Sequence, residues 1–190
     1  MLALVDTVPT SCVFVCDAFY DTLETDGESA GDQAAEPENG ATPVQESSVP
    51  VPDDELRQRG LSRDDVRDAI ERLRDGGYDC YVVSNGNPEM LSSMVEHADI
   101  ADLVADTVSA DEVRTFKPAP EIYRHAAART GTPIDQIAHA TAGWFDVMGA
   151  AHAGMQGVWV DRSGAPWEPF AGDPDLVVEG LDELADAMGV

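Results

Sequence analysis

The sequence predicts an α/β fold, a Rossmann-like doubly wound parallel sheet with helices on both faces. Two observations carry this. From Leu61 onward, short apolar runs of strand length alternate with stretches whose apolar residues recur at helical spacing. Between them stand Gly, Asn and Pro residues suited to starting and stopping helices. Strand and helix alternating at this spacing imply crossover connections and therefore parallel strands. The chain contains no internal repeat.

Each element has its own justification. The apolar run Cys12-Val13-Phe14-Val15-Cys16 suits a buried first strand. Residues 24–54 are rich in acid, Gly, Ala, Pro and Ser and almost devoid of large apolar side chains, so they cannot bury enough surface to order themselves. Ser62 caps a helix whose buried face is Val66, Ala69, Ile70 and Leu73, and Gly76-Gly77 ends it. A strand over 78–83 runs into Ser84-Asn85-Gly86-Asn87-Pro88, with Asn87 and Pro88 as N-cap and first residue of a helix. Met90, Leu91, Met94 and Val95 form its expected core face. There follow a strand over 103–108, a helix over 120–129 stopped by Gly131, a strand over 137–140 and a helix over 146–153. Strands over 158–160 and 176–178 and a closing helix over 181–188 complete the reading. The chain thus divides into residues 1–23 with the first strand, an acidic flexible segment 24–60, and a core 61–190.

Composition bounds the setting. With 190 residues, 37 acids, 11 Lys and Arg and a formal charge of −26, the chain can build a real core under a strongly acidic surface. Such charge repels nucleic acid and anionic membranes, and it strains the compact state through self-repulsion. Salt relieves that strain, because the Debye length falls to roughly 3 Å at 1 M, so the composition resembles that of proteins adapted to a concentrated-salt cytoplasm. Cys12, Cys16 and Cys80 lack zinc-type pairing and read as buried thiols. The start, Met1 to Asp6, has no basic leader and no apolar run reaches membrane-spanning length, so a cytoplasmic protein is expected.

Lys117 is the only lysine in the chain. Solvated lysines come in numbers, whereas this one stands alone in Thr115-Phe116-Lys117-Pro118-Ala119-Pro120, a turn that opens a helix. In doubly wound sheets ligands sit beyond the carboxyl ends of the strands. Three unusual loops fall there: Ser84-Asn85-Gly86, the Lys117 turn, and Thr141-Ala142-Gly143-Trp144-Phe145-Asp146. A hydroxyl, an amide, an ammonium and a carboxylate would converge on one rim, a set suited to holding an anion. Trp144 and Phe145 either wall an apolar pocket or pack in the core; Trp159 reads as core. His97, His125 and His152 read as surface or helix-end residues, and His139 as a strand residue without a role.

These residues resemble the haloacid dehalogenase superfamily and, within it, the L-2-haloacid dehalogenases. The resemblance covers about residues 61–190 and rests on Tyr81-Val82-Val83-Ser84-Asn85-Gly86-Asn87-Pro88, on Phe116-Lys117-Pro118-Ala119-Pro120-Glu121-Ile122-Tyr123, and on Trp144-Phe145-Asp146-Val147-Met148-Gly149-Ala150 with the following 153–162. It implies an aspartate nucleophile at the end of the first strand that displaces halide from a small anionic 2-haloacid and forms an ester that water hydrolyses. By carry-over Asp17 is that nucleophile, with Asp21 as its rival. Lys117 would keep it ionised, Asp146 would anchor Lys117 or the hydrolytic water, and Ser84, Asn85, Thr22, Thr141 and Trp144 would face the substrate.

The resemblance also admits a magnesium phosphatase. Those enzymes carry a second aspartate two places after the nucleophile, where this chain has Phe19, and paired acids in the last loop, where it has Asp146 alone. The metal-free reading, without cofactor, is therefore preferred. The first motif, Asp17-Ala18-Phe19-Tyr20-Asp21-Thr22-Leu23, is one residue longer than the family pattern, and aligning it without a gap puts Ala18 in the nucleophile's place. Residues 24–60 are too few and too polar for the helical cap of the dehalogenases; Arg57 and Arg59 are the nearby cations that could replace the arginine such a cap supplies, although they read first as a solvated lead-in to the helix. Gly143 stands where the family has asparagine. A third reading is therefore a catalytically silent member that binds an anion or a partner. Room is left for a homodimer.

The acidic surface gives a direct test. The thermal midpoint should rise steadily from low to multimolar KCl as carboxylate repulsion is screened. A midpoint independent of salt contradicts the salt-adapted reading.

Overall fold

The computed structural model describes residues 12–15, 63–162, 164, 166–169 and 172–190. Asp17, Asp21, Thr22, Cys16, Arg57, Arg59, the helix cap at Ser62 and the whole of segment 24–60 lie outside the described residues.

Among the described residues six strands form one sheet in the order β3-β2-β1-β4-β5-β6, every pairing parallel. The strands are β1 (Cys12–Val15), β2 (Asp79–Ser84), β3 (Asp106–Ser109), β4 (Ile137–Thr141), β5 (Gln156–Val160) and β6 (Leu176–Val178). The helices are α1 (Arg63–Asp75), α2 (Pro88–His97), α3 (Pro120–Thr130), α4 (Trp144–Ala153) and α5 (Leu181–Ala187). The chain steps outward from β1 to β3, then returns to the far side of β1 to lay down β4 to β6. That reversal opens a crevice at the carboxyl ends of β1 and β4, where such sheets bind ligands.

Period-two alternation distributes the core. Val13, Val15, Cys80, Val82, Ala138 and Ala140 point to one face, where Val66, Ile70 and Leu73 of α1 and Leu181 and Leu184 of α5 cover them. Phe14, Val83, Val108 and Ile137 point to the other, under Ile122, Tyr123 and Ala126 of α3 and Ala150 and Ala153 of α4. β4 and β5 are buried along their whole length, as parallel strands sandwiched between helices must be. Cys80 is a buried thiol pushed up to about 12, chiefly by burial and then by Asp79. The Cys12 side chain lies outside the described residues.

The expected helix ends are present. Asn87 caps α2 by accepting from Met90 N at 2.8 Å, with Pro88 in the first turn. Gly131 ends α3 in the left-handed region at φ 70°. Three details differ from expectation. Met90 is 55% exposed, because Leu91, Met94 and Val95 set the buried stripe and Met90 sits one helical step off it. Residues 101–103 form a turn, in which Leu103 is buried but its N–H bonds to Ile100 O at 2.9 Å, so the third strand starts only at Asp106. α4 begins at Trp144, which leaves Asp146 inside its first turn.

Candidate active site

The loop after β2 is held by its own side chains. Ser84 Oγ accepts from Gly86 N at 3.2 Å, and Ser109 Oγ, at the end of β3, donates to Gly86 O at 2.7 Å. Asn85 Oδ1 accepts from Lys117 N at 2.8 Å, so the amide clamps the Lys117 turn to the end of β2. The Lys117–Pro118 peptide bond in that turn is cis. The ammonium points inward: Nζ lies 3.4 Å from Val83 O and 2.8 Å from Asp146 Oδ2.

The Lys117 and Asp146 side chains are 1% and 0% exposed. Asp146 stands in the first turn of α4, where the positive end of the helix dipole favours a carboxylate. Its Oδ1 accepts from Tyr123 Oη at 2.6 Å, and His139 Nε2 stands 3.0 Å from the same oxygen. Burial alone would raise the Asp146 carboxyl, but His139 and the Lys117 ammonium outweigh it and hold the group well below the usual carboxylate range. Gly149 makes the approach possible: a Cβ there would lie 2.5 Å from Tyr123 Oη, 2.7 Å from Pro118 Cβ and 2.9 Å from Pro118 O. Only a residue without a side chain lets α4 close on the lysine turn and α3 together.

The structure therefore gathers Ser84, Asn85, Lys117, Thr141 and Asp146 at one end of the sheet. Thr141 is buried, its Oγ1 accepting from Gly143 N at 3.3 Å, which turns the hydroxyl toward its own loop. Trp159, buried as expected, donates from Nε1 to Ala142 O at 3.0 Å and steadies the same loop. Trp144 is 45% exposed and stacks edge-on against Phe145, their centroids 6.2 Å apart, so both stand outside the core. With Phe116, 63% exposed, they give the surface an apolar character in the segments that carry Lys117 and Asp146. A separate open groove of about 530 Å³, lined by Asn87, Met90, Met94 and His97 among others, runs along the outside of α2 and includes no member of the charged cluster.

Sequence reasoning missed Tyr123 and His139. His139 is signalled by its position in a buried, largely apolar strand, since a polar ring there needs a partner. The place of Tyr123 on the buried face of α3 is readable from helical spacing.

The chain is similar to proteins of one family. The family model for haloacid dehalogenase-like hydrolases matches residues 16–154. The chain is 36% identical over 124 residues to (S)-2-haloacid dehalogenase 2 of Pseudomonas sp. (strain CBS-3), covering 65% of this chain and 54% of that protein. A crystal structure of an L-2-haloacid dehalogenase superposes with a TM-score of 0.62 at 30% identity, over 65% of this chain and 54% of the other. The L-2-haloacid dehalogenase from Xanthobacter autotrophicus with chloropropionic acid covalently bound gives a TM-score of 0.58 at 27% identity, over 63% of this chain and 58% of the other. The chain spans about half the length of the relatives it matches.

Replacing Asp146 with Asn removes the charge facing the Lys117 ammonium and should cost about 3–5 kcal/mol in urea unfolding at pH 7. Because the folded carboxyl lies below its unfolded value, the parent's advantage is fully present above about pH 4 and is lost as pH falls further. A cost under about 1 kcal/mol, or one undiminished in acid, contradicts this assignment.

Proposed function

The chain belongs to the haloacid dehalogenase-like hydrolases, and from that membership and the buried Lys117–Asp146 pair we propose that it hydrolyses small 2-haloacids through an aspartyl ester. An Asp17 carboxylate oxygen attacks C2; the new C–O bond forms as the carbon–halogen bond breaks and its electron pair leaves as halide. Water then adds to the ester carbonyl, releasing the 2-hydroxyacid and a proton and restoring the carboxylate. The relatives named as 2-haloacid dehalogenases support this reaction class.

One observation carries the reading: a buried ammonium, held by Asp146, at the carboxyl end of the central strands. Lys117 Nζ approaches Val83 O, one residue beyond the Val15–Val82 pairing, and Asp17 follows Val15 by two positions in the sequence. An ammonium within about 4–6 Å keeps a carboxylate ionised, the form a nucleophile needs. Asp146 is suited to anchoring Lys117 rather than water, since it is fully buried and its oxygens already serve Lys117, Tyr123 and His139. Asn85 spends its carbonyl oxygen on Lys117 N, which leaves its NH₂ to donate to the substrate's carboxylate or leaving group. Ser84, Thr141 and Thr22 would shape the same anion site, and Trp144 would wall its apolar side.

A magnesium phosphatase fits these residues less well. Magnesium takes several oxygen ligands in near-octahedral array. The place two after Asp17, where such an enzyme carries a second aspartate, is Phe19. Asp146, the acid of the last loop, is committed to its three partners.

The test is formation of lactate and bromide from 2-bromopropionate in concentrated KCl, with and without EDTA. The parent should turn over in EDTA, while Lys117→Met and Asp17→Asn each lose on the order of 10³-fold or more in kcat. Loss in Asp21→Asn with Asp17→Asn still active would move the nucleophile to Asp21. Turnover that requires added magnesium would overturn the metal-free route, and a cooperatively folded but inert parent would favour the silent, anion-binding reading.

A further inference from the structure

The centre of β4 holds a residue that packing does not ask for. His139 is fully buried between Ile137 and Thr141 on the face covered by α3 and α4. Its ring meets Phe14 edge-on at 6.4 Å and Tyr123 at 5.3 Å between centroids, surroundings that a phenylalanine would fill equally well. Burying an imidazole instead costs desolvation unless its polar atoms are bonded, and here only one of them is. Nε2 is 3.0 Å from Asp146 Oδ1, whereas Nδ1 is buried and has no hydrogen-bond partner among the described residues. An orphaned buried nitrogen is a standing cost, so the bond made by the other nitrogen should be what retains the residue.

We propose that His139 is a positioning residue: its Nε2–H donates to Asp146 Oδ1 and, with Tyr123 Oη on the same oxygen, locks the carboxylate plane so that Oδ2 faces the Lys117 ammonium. The division of contacts supports this, since Oδ1 takes Tyr123 and His139 while Oδ2 takes Lys117 at 2.8 Å. A carboxylate held on one oxygen by a single hydroxyl can pivot about its Cβ–Cγ bond; a second donor from another element removes that freedom. Nε2 faces the Asp146 carboxylate and carries the proton it donates. Charged and titratable groups reach the ring from α4 as Asp146, from α3 as Tyr123 and, through Asp146, from the lysine turn as Lys117. The strand neighbours in register are Phe14 and Gly157, neither of which titrates.

This inference rests on the roles given above to Lys117 and Asp146, and its test does not need the reaction. Because Lys117 is the only lysine, a full-length chain labelled with ¹⁵Nζ-lysine has one side-chain ammonium to observe by NMR. His139→Phe keeps the aromatic packing and removes the donor; its Lys117 resonance should shift and its ammonium protons should exchange with water several-fold faster than in the parent. His139→Gln keeps an N–H donor near the place of Nε2 and should restore both. Should the Phe variant fail to fold, His139→Met replaces it with the same expectation. In turnover, the donorless variant should lose on the order of 10- to 10²-fold in kcat with KM little changed, and Gln should recover most of it. An unmoved Lys117 signal in the donorless variant, or a Gln variant as perturbed as the donorless one, overturns the proposal. If the parent shows no dehalogenation, the NMR comparison still decides the role of His139 and only the reaction assignment falls.

Discussion

The buried Lys117–Asp146 ion pair is the constraint on which the rest of the site depends. Two charges withdrawn from water are tolerated only together and only when their remaining hydrogen-bonding capacity is met, since the desolvation of each costs several kcal/mol. Here the pair joins the turn that follows β3 to the helix that follows β4, elements on opposite sides of β1. It therefore spans the crevice that the reversal of strand order opens. Asn85 fixes the lysine backbone, Tyr123 and His139 hold the carboxylate, and Gly149 lets α4 come close enough for the bond to form.

The same pair explains the odd economy of cations. In a chain of formal charge −26, several arginines pair with surface acids. Arg67 grips Asp102 with two nitrogens at 2.9 and 3.0 Å, and Arg129 reaches Asp106 at 2.7 Å and also pairs with Glu112. Those partners are solvent-exposed or partly so, and such pairs contribute little to stability individually. The buried position instead takes lysine, whose compact ammonium fits between one carboxylate oxygen and the Val83 carbonyl, where a planar guanidinium would need a wider, bidentate acceptor.

Much of the fold was legible because its signals are local. The stripe of Val66, Ala69, Ile70 and Leu73, the Asn87-Pro88 start of α2 and the Gly131 stop of α3 each depend on neighbours within a turn or two. Met90 and Leu103 misled for the same reason: both are apolar, but which side of a helix or turn faces the sheet is decided by tertiary packing. At the site, Lys117 stood out by scarcity and Asp146 by its loop. Tyr123 and His139 did not, since their importance lies in contacts with Asp146 that cross from α3 and β4 to α4, and neither residue type carries a motif there. Asp17 and Thr22 were legible only through resemblance and fall outside the described residues.

One buried electrostatic bond, rather than a collection of independent polar residues, organises this end of the sheet. A double-mutant cycle in unfolding free energy, built from the parent, Lys117→Met, Asp146→Asn and the combined variant, measures that bond directly. The coupling should be about 2–3 kcal/mol, with the combined variant less damaged than the two single losses added together. Losses that add to within about 0.5 kcal/mol would contradict it.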